Sequence, residues 1–213
     1  MSTFSKLVKK CAICGKEHEF IVVNSTTTIG AMDLDTRPPQ MKRSTLPHEI
    51  QYCDKCHYAN DDIENIIDGF NKDSLNSPNY LAVVNDDKID ETAKAFLLAG
   101  HLHAIYGKYR EAGIYFLNAA WIFDDLKEED YAKRARLKSH KYLSVFIEET
   151  EDVNLAVLTV DLQRRVGDFV GAIETANQLV EYGVDDFLAK ILNFEIELSN
   201  KNDSSCHSVG EVE

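Results

Sequence analysis

Four of the five cysteines form two CxxC pairs, a spacing typical of residues that bind a metal ion. The first pair is Cys11 and Cys14, and the second is Cys53 and Cys56. Two intervening residues let both thiolates of one turn face the same ion, and two such turns supply the four ligands of a closed tetrahedral zinc site. Because a catalytic zinc needs an open coordination position, this pattern predicts one structural Zn²⁺.

Other uses of these cysteines remain open at the level of sequence. A CxxC pair can be a redox dithiol, but that use is typical of a single motif opening a helix in a βαβ unit, which is missing here. A histidine could replace one cysteine as a ligand, and the candidates are His18, His48 and His57. Cys206 lies alone in a polar stretch, where we expect an exposed thiol with no base to activate it.

Each cysteine pair must be held by a tight turn beside a strand. Gly15 follows the first pair and permits the positive φ that such a turn requires. His57 takes the equivalent position in the second pair, and His tolerates this conformation better than most residues. Residues 19–25 and 49–52 have the composition of strands. Residues 1–58 are therefore predicted to form a zinc ribbon, a β-hairpin with two cysteine knuckles.

A charged loop with two prolines connects the two cysteine pairs. Pro38 and Pro39 stiffen this loop, and it contains five charged residues that could act in recognition: Asp33, Asp35, Arg37, Lys42 and Arg43. So much charge in a short stretch predicts a loop outside the core. Two interpretations are open, a solvated connection with a local Asp–Arg pair, or a rigid recognition loop that binds the protein's own helices or a partner.

Part of this region resembles a known family. Residues 33–39 (DLDTRPP), followed by 53–59 (CxxCxYA) and 62–63 (Asp-Ile), are similar to a family of bacterial proteins described only as a domain of unknown function. Its members carry a CxxC…CxxC-Gly-Tyr arrangement and helical carboxyl-terminal regions, and His57 departs from the family's glycine. The resemblance implies zinc binding, a bacterial origin and some importance of the loop, but no activity.

Helical periodicity dominates the rest of the chain. A short helix is predicted at 61–70, followed by a turn-rich connection. Longer amphipathic segments, separated by short breaks, are predicted at 88–106, 109–125, 128–149, 152–166, 168–182 and 184–199. The predicted fold class is therefore α+β, with a zinc ribbon (1–58), a connecting helix and linker (59–87), a helical domain (88–199) and a disordered tail (200–213).

Two glycine turns in the helical region share one pattern. Gly107 and Gly167 each begin a Gly-x-aromatic-x-x-Ala sequence, and Gly100, Ala112 and Phe116 have the spacing of the tetratricopeptide signature. The two turns lie 60 residues apart, which is not a multiple of 34, so the region resembles a degenerate tetratricopeptide-like array. Such arrays bind protein segments in an extended groove. The alternative is a plain helical bundle that serves as a dimer interface or a support.

Charge and hydropathy limit the possible partners and compartments. The net charge is −13. Residues 1–60 contain eight Lys/Arg and six Asp/Glu, whereas residues 61–213 contain fifteen Lys/Arg and thirty Asp/Glu. So acidic a body repels phosphate backbones, and nucleic acid is not the expected partner. The sequence contains no run of eighteen apolar residues, the length that a membrane-spanning helix requires. Its basic start lacks the apolar core of a signal peptide. We therefore expect a cytoplasmic protein.

These patterns predict a non-enzymatic adaptor in which the zinc module and the helical groove bind another protein. No phosphate-binding glycine loop, serine-hydrolase elbow or zinc-protease helix occurs, so nothing in the sequence supports an enzyme. Two alternatives stay open. One is an enzyme with a site between the two domains. The other is a nucleic-acid-binding ribbon with a partner-recruiting acidic body, which would use Lys9, Lys10, Lys16, Arg37, Lys42, Arg43 and Lys55.

Overall fold

The computed structural model describes residues 2–212. Its strands are Thr3–Lys10 (β1), Glu17–Ser25 (β2), Gln51–Tyr52 (β3) and Ala59–Asn60 (β4). Its α-helices are Gln40–Arg43 (α1), Pro78–Val84 (α2), Glu91–Ile105 (α3), Tyr109–Leu126 (α4), Glu129–Thr150 (α5), Val153–Arg165 (α6), Phe169–Tyr182 (α7) and Asp186–Asn200 (α8). Short 3₁₀ helices lie at Leu46–His48, Lys72–Asn76 and Val209–Glu211. The α+β class predicted from the sequence is confirmed.

The strands form two separate antiparallel hairpins, and a cysteine pair lies in the turn of each. β1 pairs with β2 so that Lys10 lies opposite Glu17, which leaves the first CxxC pair in the connecting turn. β3 pairs with β4, with Tyr52 opposite Ala59, around the second CxxC pair. β1 was not predicted from the sequence, because its residues stand out only for their basic charge.

The six long helices agree with the prediction, with boundaries that differ by no more than three residues. Aspartates define several of the starts, since Asp90, Asp152 and Asp185 each accept a hydrogen bond from a backbone N–H of the following helix. Successive helices from α3 to α8 pack on each other, and α6 also contacts α8. Among the helices of residues 2–212, none combines the length and the hydropathy that a membrane span requires.

Gly100 marks the closest approach of α3 and α4. A Cβ atom at this position would lie 3.1 Å from the ring of Phe116, which is fully buried, so glycine allows the two helices to come together. This is the contact that the tetratricopeptide-like spacing predicts for a helix pair. The repeat character of the whole region stays a prediction.

The structure differs from the helix predicted at 61–70. These residues form turns, because the carboxylates of Asp61 and Asp62 accept hydrogen bonds from backbone N–H groups one or two residues ahead. The apolar periodicity there reflects the burial of Ile63 and Ile67 in the core. A helix forms instead at α2, where a turn-rich connection was predicted, and it starts at Pro78.

One hydrophobic core joins the cysteine module to helices α2 to α6, while a second core is formed by Leu34 and residues of α6, α7 and α8. Tyr80 on α2 is fully buried, and its hydroxyl donates a hydrogen bond of 2.5 Å to the carbonyl oxygen of His57. The same core contains, among others, Cys11, Ile50, Cys53, Tyr58, Phe96, Leu98 and Phe116. The predicted boundaries at residues 58 and 87 therefore do not separate independently packed units.

The carboxyl-terminal segment, residues 201–212, is packed on the protein, whereas the sequence predicted disorder for 200–213. Arg164, which is fully buried, donates hydrogen bonds of 2.8 Å to the carbonyl oxygens of Asp203 and Ser205. Further along, the backbone N–H of Leu34 donates to the carbonyl oxygen of His207. Backbone hydrogen bonds and one buried arginine therefore order a polar segment that composition alone assigns to disorder.

Arg164 also lies between two buried carboxylates. It donates to Asp161 at 2.5 Å and to Glu195 at 2.6 Å, and all three side chains are at most 2% exposed. Two carboxylates here face one guanidinium group. Oδ2 of Asp161 and Oε1 of Glu195 are buried and have no hydrogen-bond partner in the described chain. Burial and the charge of Asp161 raise the pKa of Glu195 to about 8. Burial and the charge of Asp35 raise the pKa of Asp161 as well, so we expect this pair to keep a proton above the usual carboxyl range.

We expect the free energy of unfolding to fall as the pH rises from about 5 to 8, because unfolded Glu195 ionises near its usual pKa while the folded side chain keeps its proton. Glu195→Gln cannot ionise and still accepts from Arg164. The wild-type protein should therefore lose on the order of 2 kcal/mol relative to this variant across that range. Urea unfolding at several pH values measures the difference.

The matched control is Glu181→Gln, at an exposed residue of α7. It should follow the wild-type pH dependence throughout. If the free energies of unfolding of wild type and Glu195→Gln differ by a constant amount over the same pH range, the buried pair holds no proton.

Candidate metal centre and the buried loop beside it

The two cysteine turns have the same backbone geometry. In the first, the N–H of Cys11 donates to the carbonyl oxygen of Lys16, and the N–H of Gly15 donates back to that of Cys11. Cys53, His57 and Tyr58 repeat this pattern in the second turn. Gly15 and His57 have φ values of 70° and 65°, so the sequence expectation that both adopt a positive φ is confirmed.

The four sulfur atoms come together as one cluster. The Sγ atoms of Cys11 and Cys56 are 3.6 Å apart, those of Cys14 and Cys53 are 3.5 Å apart, and all four lie within 4.8 Å of one another. Zinc–sulfur bonds of about 2.3 Å in a tetrahedron place neighbouring sulfurs about 3.8 Å apart. The cluster is therefore compatible with one zinc ion held by all four cysteines.

Burial and neighbouring groups fit a closed metal site. Cys11 and Cys53 are buried, Cys14 and Cys56 are half-buried, and burial raises the pKa of the Cys53 and Cys56 thiols. A metal ion must displace these thiol protons when it binds. Nε2 of His18 lies 3.2 Å from Sγ of Cys53, where a ring N–H supports a thiolate from outside the ligand set.

The loop between the cysteine pairs is packed against the helices. Asp33, Asp35 and Arg37 are all buried, although the sequence predicted a loop outside the core. Within the loop, Arg43 donates to Asp33 at 2.6 Å, so the predicted local Asp–Arg pair is present. Arg37 donates to Asp125 of α4 at 2.5 Å. Of the five predicted loop residues, Lys42 alone forms none of the ion pairs found within residues 2–212.

Asp35 is the centre of a buried network that joins the loop to three helices. Its carboxylate accepts the indole N–H of Trp121 on α4 at 2.8 Å, and it lies 3.5 Å from Arg136 on α5 and 3.6 Å from Arg165 on α6. Both arginines also bind Asp124. Burial works to raise the pKa of Asp124, but these two arginines hold it below its usual value.

This network bears on the two interpretations of the loop. Arg136, its partner on α5, is 2% exposed. The solvated-loop interpretation does not fit Asp35 and Arg37, because the side chains of both form hydrogen bonds with side chains of the protein's own helices. The partners lie 86 or more residues away in the chain. A stiff charged loop and an isolated Trp121 were the only signals, and neither gave the pairing.

We expect purified protein to contain one zinc per chain. Cys14→Ser or Cys56→Ser should release it, because binding energy on the order of 10 kcal/mol depends on four thiolates. Since Cys11 and Cys53 share a core with the helices, the melting temperature followed by helical circular dichroism should also fall. Elemental analysis and thiol titration measure the loss of zinc. Cys206→Ser is the control variant, which should keep the metal. Freshly purified protein that contains no zinc and in which Cys11, Cys14, Cys53 and Cys56 are all titratable would refute the site.

Asp35→Ala should destabilise the protein by about 3–5 kcal/mol, because it leaves two buried arginines and an indole N–H without their shared acceptor. Chemical denaturation gives the free energy of unfolding. Asp87→Ala, at an exposed aspartate, is the matched control and should change stability by less than about 0.5 kcal/mol. Equal effects of the two variants would show that the network does not hold the loop.

Comparison with known proteins places both the cysteine cluster and the helices inside one family. No curated protein and no solved structure matches the chain. A family model described as "Uncharacterized protein conserved in bacteria (DUF2225)" matches residues 4–194, which include both CxxC pairs, the loop, and the helices as far as the middle of α8. The chain therefore belongs to this family of bacterial proteins of unknown function.

Proposed function

We propose that this protein is a zinc-stabilised, non-enzymatic scaffold that binds another protein in a groove of its helical region. The observation that carries the proposal is an open groove of about 1140 Å³ beside the buried network. Its walls are the turns between α4 and α5 and between α6 and α7, the first turns of α5, and residues 201–205 of the carboxyl-terminal segment. A groove of this size accommodates an extended protein segment.

The floor and the rim of this groove differ in charge. At the floor, Arg136 and Arg165 are already bound to Asp124, so their charges are compensated inside the protein. At the rim, Lys127 and Lys133 are exposed, and neither takes part in an ion pair of the described chain. The floor therefore supports the shape of the groove, while the rim lysines are free to contact acidic groups of a bound segment.

The same features favour binding over catalysis. Four cysteine ligands leave the metal no open position for a substrate or an activated water. The arginines on the groove floor are held by carboxylates, and the groove opens to solvent. The proposed enzyme site between the module and the helices would have to use a smaller groove of about 230 Å³ that includes His103. Nδ1–H of that histidine donates a hydrogen bond to the carbonyl oxygen of Ala99 in its own helix.

The nucleic-acid alternative has less support from the structure than from the sequence. Five of its seven candidate basic residues form ion pairs with carboxylates of the protein, namely Lys9, Lys10, Lys16, Arg37 and Arg43. Only Lys42 and Lys55 remain without such a pair in the described chain. Two lysines are too few to attract a phosphate backbone to a chain with a net charge of −13.

A photo-crosslinking amino acid at position 133, introduced into the protein in its native cell, should give one discrete protein adduct. The same amino acid at position 88, an exposed lysine next to α3, should give none. Digestion of the adduct by protease but not by nuclease identifies the partner class. Nuclease-sensitive adducts would support the nucleic-acid alternative, and the absence of any adduct specific to position 133 would refute binding in the groove.

Charge reversal at the rim tests the same proposal without crosslinking. Lys127→Glu together with Lys133→Glu should weaken capture of that partner by about fivefold, on the order of 1 kcal/mol, because two exposed pairs are lost. Zinc content and the free energy of unfolding should stay unchanged. Lys88→Glu is the control for added negative charge, and an equal loss of capture with this variant would contradict a role for the groove.

A further inference from the structure

Helix α5 carries a second charged surface, which adjoins the groove. This surface, the α5 stripe, follows helical spacing along the exposed side of the helix and consists of Arg134, Leu137, Lys138, Lys141, Ser144, Val145, Glu148 and Glu149. Lys133 and Arg136 belong to the groove instead. Positive charges occupy the first half of the stripe and negative charges the end of the helix.

The order of these charges is unfavourable for an isolated helix. The negative end of the helix dipole lies at the carboxyl end, where cations stabilise and anions destabilise. The last turn of α5 contains no basic residue, and Glu148 and Glu149 lie there, followed by Glu151 as the C-cap. Acidic residues at this end destabilise a helix modestly, and no ion pair within residues 2–212 compensates them.

The charged ends of the stripe have no ionic partner within residues 2–212. None of the ion pairs includes Arg134, Lys141, Glu148, Glu149 or Glu151. The ammonium groups are nevertheless positioned. Nζ of Lys141 lies 5.2 Å from the centre of the Tyr142 ring, and Nζ of Lys138 lies 5.1 Å from that of Phe116. Lys138 also donates to Nε2 of His101 at 2.9 Å, so its ammonium group is directed into the protein, whereas the charge of Lys141 stays uncompensated on the exposed side.

We propose that α5 pairs antiparallel with α5 of a second copy of this chain, so that Lys141 lies opposite Glu148 of the partner subunit. A two-fold axis between residues 144 and 145 brings this about. With a rise of 1.5 Å per residue, Lys141 and Glu148 are each about 5 Å from the axis along the helix, on opposite sides.

The charge pattern selects a second copy over other partners. A stripe that is positive in one half and negative in the other is complementary to itself when reversed, which is the requirement of an isologous interface. Nucleic acid would be repelled by the acidic half. Leu137, 49% exposed, becomes covered in the pair, and Ser144 and Val145 at the crossing are small enough for two helices to approach closely.

The expected dimer is weak and sensitive to salt. A single helix crossing buries an area at the low end for specific protein interfaces. Its attraction comes from exposed charges, which are screened beyond about 10 Å at 0.1 M ionic strength. Sedimentation velocity of the full, zinc-loaded protein over a range of concentrations should therefore show a reversible monomer–dimer equilibrium that shifts towards monomer as salt is added.

Two single charge reversals provide the decisive test. Lys141→Glu and Glu148→Lys should each weaken the homodimer roughly tenfold or more, because symmetry places two like-charge contacts in every dimer. An equimolar mixture of the two variants should form a heterodimer, since both contacts are again between opposite charges. The double variant Lys141→Glu/Glu148→Lys should also recover the homodimer.

Matched controls are Lys190→Glu and Glu181→Lys, which make the same charge changes at exposed residues of α8 and α7. Both should dimerise as the wild type does. A wild type that sediments as a monomer at every concentration would overturn the proposal. So would a mixture of the two α5 variants that forms no heterodimer, or a loss of dimer in the controls equal to that in the α5 variants.

Discussion

The buried carboxylate of Asp35 is the constraint that joins the parts of this protein. An ionised carboxylate removed from water is strongly destabilising unless it is paired and hydrogen-bonded. Here the compensation comes from Trp121, Arg136 and Arg165, which belong to three successive helices. The loop residue therefore needs α4, α5 and α6 to be packed. The two arginines are shared between Asp35 and Asp124, so the loop supplies one of the two carboxylates that balance their charges.

The cysteine cluster acts on the same loop from its two ends. Cys14 and Cys53 lie on either side of the 38-residue connection that contains Asp35, and a metal ion that binds all four thiolates closes this connection. The carboxyl-terminal segment covers the loop as well, through the backbone pairing of Asp33 with Ser208. Because Cys11 and Cys53 belong to the core that they share with α2 to α6, an ion bound by the four cysteines would stabilise these helices as well as the hairpins.

The sequence predicted what local spacing determines. The CxxC turns, the positive φ of Gly15 and His57, and the six long helices all depend on residues within a few positions of each other. The prediction of a helix at 61–70 was wrong because apolar spacing reports burial as well as helicity. The buried loop and the ordered carboxyl-terminal segment could not be predicted, since Asp35 and Arg164 find their partners more than thirty residues away.

The distribution of paired and unpaired charge separates structure from recognition in this molecule. Buried charges are paired, as at Arg136 and Arg164, and they fix the positions of the loop and the carboxyl-terminal segment. The unpaired charges of α5 lie on its exposed faces, at Lys133 beside the groove and at Lys141 and Glu148 on the stripe. Isolated charges on a helix surface are ordinary. A block of each sign, ordered against the helix dipole and complementary to itself, is better explained by association than by solubility. The groove and the stripe adjoin on this helix, because Lys133 and Leu137 lie four residues apart, so a segment bound in the groove would lie close to the dimer contact.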